Sequence, residues 1–315
     1  MYIKSERKFI IESVMRFESF KNFCVSKNVR IKFNEPMAVH TSLKMGGLAE
    51  IAIFPDEDNI QEVMKVIFEE GIPHISVGRG TNLLVKDEGI EGIVIFTNKM
   101  DKISDITDDA HITVQTGCSL QKVVTLAAEL GLSGMEGLAG IPGSVGGAIA
   151  GNAGSFGYEV KDVVEYINII TEDAVIRSVP NKDISFRYRG SDLPAGSIIM
   201  NCCFTLKKDD SDVIKRRTRG FLNEKRLKQP LSLPSAGCVF KNPEGTPAGR
   251  LIDEAGCKGM RVGGVMVSTL HANYFVNLDG GTSSDFLRLM DLVANTVNNK
   301  FGILLEPEIK IVGRN

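Results

Sequence analysis

The feature that most constrains this chain is the run from Gly137 to Gly157, which reads GLAGIPGSVGGAIAGNAGSFG. More than a third of its positions are glycine, and it carries no charged side chain. Glycine loses more conformational entropy on folding than other residues, so a dense cluster without a repeat needs a structural reason. Close approach of the backbone to a large ligand is such a reason, and the exposed N–H groups of such a loop form concave anion sites. The run therefore indicates a cradle for the diphosphate of a dinucleotide cofactor.

Length and composition narrow the class of protein. A chain of 315 residues predicts two or three domains, and 43% hydrophobic with 24% charged residues is typical of a soluble globular protein. The net charge of −2 favours neither nucleic acid nor an anionic membrane as a partner. The sequence has no apolar run long enough to span a membrane and no secretory signal at its charged start. Its six cysteines lack CxxC spacing, and its four histidines do not cluster, so neither a metal site nor a disulfide framework is predicted and a reducing cytoplasm fits.

Apolar periodicity and turn residues predict the order of the elements. Helices are predicted at 9–24, 58–70, 120–130, 211–228, 248–255 and 284–301, the last capped by Ser283 or Ser284. Strands are predicted at 51–54, 74–77, 93–96, 112–116, 163–171, 174–179, 197–206, 264–267, 273–277 and 303–313, with those between 163 and 206 antiparallel. A second glycine turn, GRGTNLLV (78–85), follows a strand, which is where ligands of α/β units bind. This turn lacks the third glycine of a Rossmann fingerprint, so the two glycine segments favour a flavin dinucleotide on a non-Rossmann fold over ordinary turns.

Two segments carry side chains suited to reaction chemistry, although each has a plain structural explanation. Arg189 follows Tyr188 in FRYRGS, and a fixed guanidinium there could hold a carboxylate or a developing oxyanion. A solvated surface strand is the commoner fate of such a segment. Cys238 in SAGCVFKNP carries a thiol whose ordinary pKa of about 8.5 suits a proton donor. A lone cysteine is more often a small buried hydrophobe.

Two further segments carry charge. Strand alternation puts Glu306 and Glu308 on one face unless Pro307 causes a bulge, and a carboxyl group there could handle protons. The alternative is a solvated strand face. The basic helix before residue 229 is also mostly a solvated face, with Lys228 at its end the best candidate for a pyrophosphate contact.

Seven segments in this order resemble the UDP-N-acetylenolpyruvoylglucosamine reductase (MurB) family. They are HTSLKMGG (40–47), VGRGTNLLV (77–85), GLAGIPGSVGGAIAGNAG (137–154), FRYRGSDL (186–193), KQPLSLPSAGCVFKNP (228–243), AGRLIDEAGCKGMRVGGVMVSTLHANYFVN (248–277) and LEPEIKIVG (305–313). The resemblance implies an α+β fold of three domains. Two are FAD-binding domains of the vanillyl-alcohol-oxidase type at 1–98 and 99–214, and the third is a substrate-binding α/β domain at 215–302. The last strand, 303–315, is expected to return near the first domain.

The resemblance also implies an activity. NADPH reduces FAD, and UDP-N-acetylglucosamine enolpyruvate is then reduced to UDP-N-acetylmuramate for peptidoglycan synthesis, on which cell shape and division depend. By motif position, Cys238 donates the proton, and Arg189 and Glu308 stabilise the enolate. Tyr188, Lys228 and Asn242 are implied to contact the substrate. The residues implied to hold FAD are Thr41, Gly78, Arg79, Gly80, Thr81, Asn82, Leu83, Gly137, Ile141, Pro142, Gly143, Ser144, Gly147, Ala148, Asn152 and Ala153. The enzyme is expected to be a cytoplasmic monomer without nucleic-acid, membrane or metal partners.

This chain departs from the family pattern in two places. Many members carry serine where this chain has Cys238. The interval between Arg189 and Cys238 holds little more than a strand and the basic helix, which indicates the shorter type that lacks a tyrosine-bearing lid insertion. The N-terminal segment of about 35 residues lies outside the resemblance. Two alternatives stay open: another FAD-dependent oxidoreductase of the same fold that acts on an alcohol or sugar, and a non-catalytic nucleotide-binding module.

Overall fold

The computed structural model describes residues 17–314. Within that range the helices are α1 (Glu18–Ser26), α2 (Ile60–Glu69), α3 (Leu120–Glu129), α4 (Val145–Ala150), α5 (Ser211–Lys228), α6 (Ala248–Glu254) and α7 (Ser283–Phe301). The strands are β1 (Arg30–Pro36), β2 (Leu48–Phe54), β3 (His74–Val77), β4 (Leu83–Val85), β5 (Ile90–Phe96), β6 (Ile103–Ile106), β7 (His111–Gln115), β8 (Leu132–Ser133), β9 (Gly154–Ser155), β10 (Tyr158–Glu159), β11 (Val164–Ile170), β12 (Ile176–Pro180), β13 (Ser185–Arg187), β14 (Gly190–Asp192), β15 (Ile198–Thr205), β16 (Lys207–Lys208), β17 (Ser235–Cys238), β18 (Arg261–Val262), β19 (Val265–Val267), β20 (Tyr274–Asn277) and β21 (Lys310–Val312). No helix among these residues has the length and apolar character needed to cross a membrane.

The chain divides into two compact units. Among the described residues, unit 1 comprises 17–35, Ala49–Gly78 and Glu91–Arg216, and unit 2 comprises Pro36–Leu48, Arg79–Ile90 and 217–314. The chain therefore leaves and re-enters each unit, which the predicted division into three consecutive domains does not include. The boundaries of those domains stay a prediction.

Unit 1 contains two larger sheets, of four and five strands, besides three two-stranded pairs. The first has the strand order β1-β2-β5-β3, with β3 parallel to β5. Helix α2 supplies Ile60, Val63, Met64 and Ile67 to the core beside this sheet, as its helical spacing predicts. The second sheet has the order β12-β11-β15-β7-β6, and its strands are antiparallel, which confirms the prediction for residues 163–206.

Unit 2 has a separate hydrophobic core around the antiparallel sheet β17-β20-β19-β18. Helix α7 contributes Phe286, Leu289 and Val293, which are fully buried. Leu43 and Leu84 join the same core although they come from the first third of the chain. Strand β21 pairs in parallel with β4, with Ile311 opposite Leu84.

The structure corrects several predicted elements. Thr282, not Ser283 or Ser284, is the N-cap of α7, since its side chain accepts a hydrogen bond from Asp285 N–H at 3.0 Å. The predicted strand 303–313 is reduced to Lys310–Val312 with an isolated bridge at Pro307. Helix α4 lies inside the glycine-rich run, where no helix was predicted. The N-terminal helix begins at Glu18 in the described range, and the predicted residues 9–16 lie outside that range.

Candidate active site

Gly78, the first residue of the second glycine turn, lies against the glycine-rich run within unit 1. Strand β3 ends at Val77, and a Cβ atom built on the next residue, Gly78, would lie 2.1 Å from Ser144 Oγ. A side chain at Gly78 would therefore displace Ser144. The Ser144 hydroxyl caps α4 by accepting a hydrogen bond from Gly147 N–H at 3.3 Å. The contact joins the carboxyl end of a strand to the glycine-rich run, as expected for a ligand-binding turn.

The glycine-rich run fits a dinucleotide such as FAD. Gly140 and Gly143 have φ of +75° and +133°, a region of backbone conformation that favours glycine. Gly147 is exposed, and a Cβ atom there would meet Ser144 Oγ at 3.4 Å, an ordinary contact. The absence of a side chain at Gly147 thus keeps a stretch of backbone open that a diphosphate can approach closely. Gly137 has a different role, because a Cβ atom there would lie 2.3 Å from Tyr158 Cδ2 within the fold.

Asn152, at the end of the same run, holds a neighbouring hairpin. Its side chain is fully buried, donates to Arg187 O at 3.1 Å and accepts from Lys161 N–H at 3.2 Å. The Ser191 hydroxyl adds a bond to Ala150 O at 3.2 Å. The predicted cofactor residue Asn152 therefore uses its amide to fix the hairpin formed by β13 and β14 against the glycine-rich run.

The turn of that hairpin consists of Tyr188 and Arg189, two predicted site residues. Arg189 is half-buried and has φ of +59°, the left-handed region that non-glycine residues seldom adopt. Its guanidinium lies 5.0 Å from the centroid of the exposed Tyr188 ring, a cation–π arrangement. A strained turn that fixes a guanidinium is typical of a functional position.

Unit 2 brings together residues 40–47 and the rest of the second glycine turn, residues 79–83. A Cβ atom on Gly80, whose φ is +59°, would lie 2.1 Å from His40 O. Ser42 N–H donates to Gly80 O at 3.0 Å, and the buried Thr41 hydroxyl donates to Met45 O at 3.0 Å. The close packing explains why a glycine stands at position 80.

The segment 79–83 also holds the chain around Glu308. The Asn82 side chain donates to Glu308 O at 3.3 Å, and Asn82 O accepts from Lys310 N–H at 3.1 Å. These bonds continue the parallel pairing of β4 with β21. Asn82, predicted to bind cofactor, thus fixes the backbone of a predicted catalytic residue.

Cys238 and Glu308 lie on adjoining backbone segments of unit 2. Cys238 ends β17, and the following residues form an antiparallel bridge in which Phe240 faces Pro307. Glu308 N–H donates to Val239 O at 2.8 Å, and both Cys238 and Glu308 are half-buried. The structure therefore brings these two predicted catalytic residues together, whereas Arg189 belongs to unit 1.

The predicted substrate residues of unit 2 make local contacts. Asn242 Oδ1 accepts from Ala248 N–H at 3.0 Å at the start of α6. Lys228 is exposed and forms an ion pair with Glu224 at 2.7 Å. One turn earlier, Lys225 is only 4% exposed, which is rare for lysine. The basic composition of α5 does not predict which of its lysine and arginine side chains is buried, because that depends on which face of the helix packs against the core.

The remaining predicted cofactor residues lie in the same two glycine segments. They are Ile141, Pro142, Gly143, Ala148 and Ala153 in unit 1, and Arg79, Thr81 and Leu83 in unit 2. Ala148 and Leu83 are each 7% exposed, so little of either residue is open to a ligand.

Comparison with known proteins places this arrangement in a family. Residues 49–179 match the protein family described as "FAD binding domain". Residues 229–312 match the family described as "UDP-N-acetylenolpyruvoylglucosamine reductase, C-terminal domain". The reductase of that name from Geotalea uraniireducens is 40% identical over 284 residues, which cover 90% of this chain and 94% of that protein. The chain belongs to the UDP-N-acetylenolpyruvoylglucosamine reductase family.

Two further similarities agree with this membership. The UDP-N-acetylenolpyruvoylglucosamine reductase of Limosilactobacillus fermentum is 39% identical over 91% of this chain and 95% of its own length. The crystal structure of UDP-N-acetylenolpyruvylglucosamine reductase (MurB) from Thermus caldophilus superposes with a TM-score of 0.78 at 35% identity, covering 90% of this chain and 98% of that chain. The predicted resemblance and the α+β fold with FAD-binding and C-terminal domains are confirmed. The chain is an FAD-dependent oxidoreductase.

Proposed function

We propose that this enzyme uses NADPH to reduce UDP-N-acetylglucosamine enolpyruvate to UDP-N-acetylmuramate, a reaction of peptidoglycan precursor synthesis. Relatives at about 40% identity over nine-tenths of the chain carry the name of this reductase. The observation that carries the proposal is the bridge between Phe240 and Pro307, which sets Cys238 beside the chain of Glu308. A thiol and a carboxyl group on adjoining segments can supply the proton that reduction of an enol ether requires.

The reaction adds a hydride and a proton across one carbon–carbon double bond. FAD, which the glycine segments around Gly78 and Gly147 would hold, would supply the hydride, drawn from NADPH, for the terminal carbon of the enolpyruvyl group. The electron pair of the double bond then moves toward the adjacent carbon and its carboxylate, giving an enolate. The Arg189 guanidinium is suited to this charge because it is always protonated and matches a carboxylate in shape. Glu308 contributes only with a protonated carboxyl group, since a carboxylate would repel the enolate.

Cys238 completes the reaction by donating its proton to the carbon that bears the negative charge. A thiol with an ordinary pKa of about 8.5 is a far stronger acid than the serine hydroxyl that many relatives carry. Tyr188, Lys228 and Asn242 are proposed to contact the substrate, and the glycine segments around Gly78 and Gly147 to hold FAD. Monomeric, cytoplasmic action belongs to the same proposal.

An anaerobic experiment tests the two stages separately. The purified yellow protein is reduced with NADPH, the enolpyruvyl UDP-sugar is added, and flavin absorbance is followed. We expect rapid bleaching and then rapid reoxidation for the natural chain. Cys238→Ala should bleach normally but reoxidise on the order of 100-fold more slowly, the usual contribution of a general acid. Cys238→Ser, the matched control, should keep much of the reoxidation rate.

Two outcomes would contradict the proposal. Full reoxidation by Cys238→Ala would remove the thiol from the mechanism. Failure of the natural chain to reoxidise with the UDP-sugar, together with oxygen consumption on small alcohols, would favour a different oxidoreductase of this fold.

A further inference from the structure

We propose that Asn273 is a positioning residue that holds Cys238 and Glu308 at a fixed separation. The inference rests on the proposed function, since it assigns those two residues to one reaction. Asn273 lies immediately before β20 and is 2% exposed. In the sequence, Asn273 is marked only by being a polar residue directly before the apolar run YFV.

Asn273 binds the chain that follows Cys238 through three hydrogen bonds. Its side-chain amide donates to Phe240 O at 2.7 Å, and its Oδ1 accepts from Phe240 N–H at 2.9 Å. Its backbone carbonyl accepts from Val239 N–H at 2.8 Å. One residue thus satisfies the donor and acceptor of Phe240 and the donor of Val239.

These bonds occur where regular strand pairing fails. Ser235 faces Val276 and Cys238 faces Tyr274, so three steps along β17 match two steps along β20. Gly237, inside this bulge, has φ of +78°. A bulge re-aims the side chains beside it and interrupts the ladder bonds that would fix them. The Asn273 amide supplies substitute bonds directly after Cys238.

The same short segment carries Glu308 on its other side. Val239 O accepts from Glu308 N–H at 2.8 Å, and Lys241 N–H donates to Glu306 O at 2.8 Å. Asn273 and Glu308 therefore hold the same short stretch of backbone from opposite sides. Because Asn82 also holds the backbone of Glu308, movement of Val239 and Phe240 would shift the Cys238 thiol relative to the Glu308 carboxyl.

The chemistry of an amide suits this position. An amide offers a donor and an acceptor at once, whereas a carboxylate only accepts. Asn273→Asp, which preserves shape, would leave Phe240 O facing a negative charge. Burial raises the pKa of such an introduced carboxyl group, so mild acid restores a neutral O–H donor. Asn273→Ala removes both side-chain hydrogen bonds, and acid cannot restore them.

Stopped-flow half-reactions on the FAD-loaded enzyme form the first test. We expect Asn273→Asp and Asn273→Ala to reduce with NADPH at the natural rate. Their reoxidation by the enolpyruvyl UDP-sugar should slow on the order of 10- to 100-fold, because misplacement by about 1 Å has that effect. Lowering the pH from 8 to 6 should recover reoxidation for Asn273→Asp and not for Asn273→Ala.

The matched control is Asn277→Asp. Asn277 is 8% exposed and lies at the other end of β20, where its amide donates to Leu43 O at 2.9 Å and accepts from Gly281 N–H at 2.9 Å. This variant should lose comparable thermal stability. Its reoxidation rate should change little, because its amide does not touch the segment after Cys238.

A second readout needs neither substrate nor FAD. The rate at which iodoacetamide alkylates Cys238, mapped by mass spectrometry, should rise several-fold in Asn273→Ala and at pH 8 in Asn273→Asp, and stay unchanged in Asn277→Asp. If both Asn273 variants reoxidise and alkylate at natural rates, or if Asn277→Asp matches them, the positioning role is wrong. Failure of the natural enzyme to reoxidise would instead overturn the proposed function, and the alkylation rates would still test the positioning role of Asn273.

Discussion

At the scale of single residues, the backbone conformation of Arg189 indicates a functional position, which its residue type alone does not. Left-handed φ costs an L-residue about 1–2 kcal/mol, yet Arg189 adopts +59°. Asn152 and Ser191 hold the flanking strands, so the hairpin maintains this conformation. Such a cost is tolerated where the guanidinium position matters more than the stability of the turn.

Arg189→Gly separates these two effects. Glycine adopts left-handed φ without strain, so the free energy of unfolding should stay within about 1 kcal/mol of the natural value or increase. Reoxidation of reduced enzyme by the UDP-sugar should fall on the order of 100-fold, because the guanidinium is lost. Urea unfolding and stopped-flow absorbance check the two parts. A variant that is less stable by several kcal/mol, or that reoxidises normally, would contradict the argument.

Cys238 differs from the other five cysteines in exposure. Cys24, Cys118, Cys202, Cys203 and Cys257 are buried, and Cys238 is half-buried. Burial raises the pKa of Cys24 to about 12 and raises the pKa values of Cys202, Cys203 and Cys257. We expect iodoacetamide at pH 8 to modify Cys238 first, with reoxidation lost in parallel. Peptide mapping checks this, and prior modification of any buried cysteine would refute it.

At the scale of elements, the start of α7 depends on a residue far away in sequence. Asp87 accepts hydrogen bonds from Ser283 N–H at 2.9 Å and Ser284 N–H at 3.0 Å. Burial opposes its ionisation, but the bonds from both serines outweigh burial and lower the pKa of Asp87. A carboxylate at a helix N-terminus accepts hydrogen bonds from N–H groups that have no partner within the helix, and its negative charge interacts favourably with the helix dipole.

Asp87→Asn should therefore lower the free energy of unfolding by about 1 kcal/mol at neutral pH. Because the folded pKa lies below the ordinary value of about 3.9, the contribution is complete above that pH. It is lost as the pH falls through the lowered folded pKa, so the unfolding free energies of the natural chain and of Asp87→Asn should converge in acid. Urea unfolding between pH 7 and 3 checks this, with the exposed neighbour Glu88→Gln as control. A difference that persists undiminished at pH 3 would contradict the prediction.

Element positions were largely predictable where local periodicity decides them. The predicted bounds of β3 and α5 match the structure, and those of α2 and α3 are nearly the same. The bridge at Pro307 and the bonds from the start of α7 to Asp87 were not predictable, because both depend on partners that are distant in the sequence. The site shows the same division: motif positions indicated Cys238 and Glu308, whereas the role of Asn273 depends on a bulge that sequence spacing does not reveal.

At the scale of the whole molecule, the C-terminal part of the chain depends on residues from the first third. Leu43, Met45 and Leu84 are at most 3% exposed in the core of unit 2. Strand β21 has its partner in β4, and the first N–H groups of α7 donate to Asp87. A fragment that begins after residue 210 lacks all of these contacts, although it contains the whole stretch that matches the C-terminal family domain.

We therefore expect a fragment of residues 211–315 to lack a cooperative thermal transition by circular dichroism. The full chain with Leu84→Ala provides the comparison. It should lose about 2–5 kcal/mol of stability from the cavity but still unfold cooperatively. The fragment loses the Leu84 side chain, two more core residues, the pairing of β4 with β21 and the Asp87 bonds to α7. Together these losses exceed the margin of about 5–15 kcal/mol typical of folded domains. A sharp transition and dispersed amide resonances from the fragment would show that unit 2 folds without its N-terminal segments.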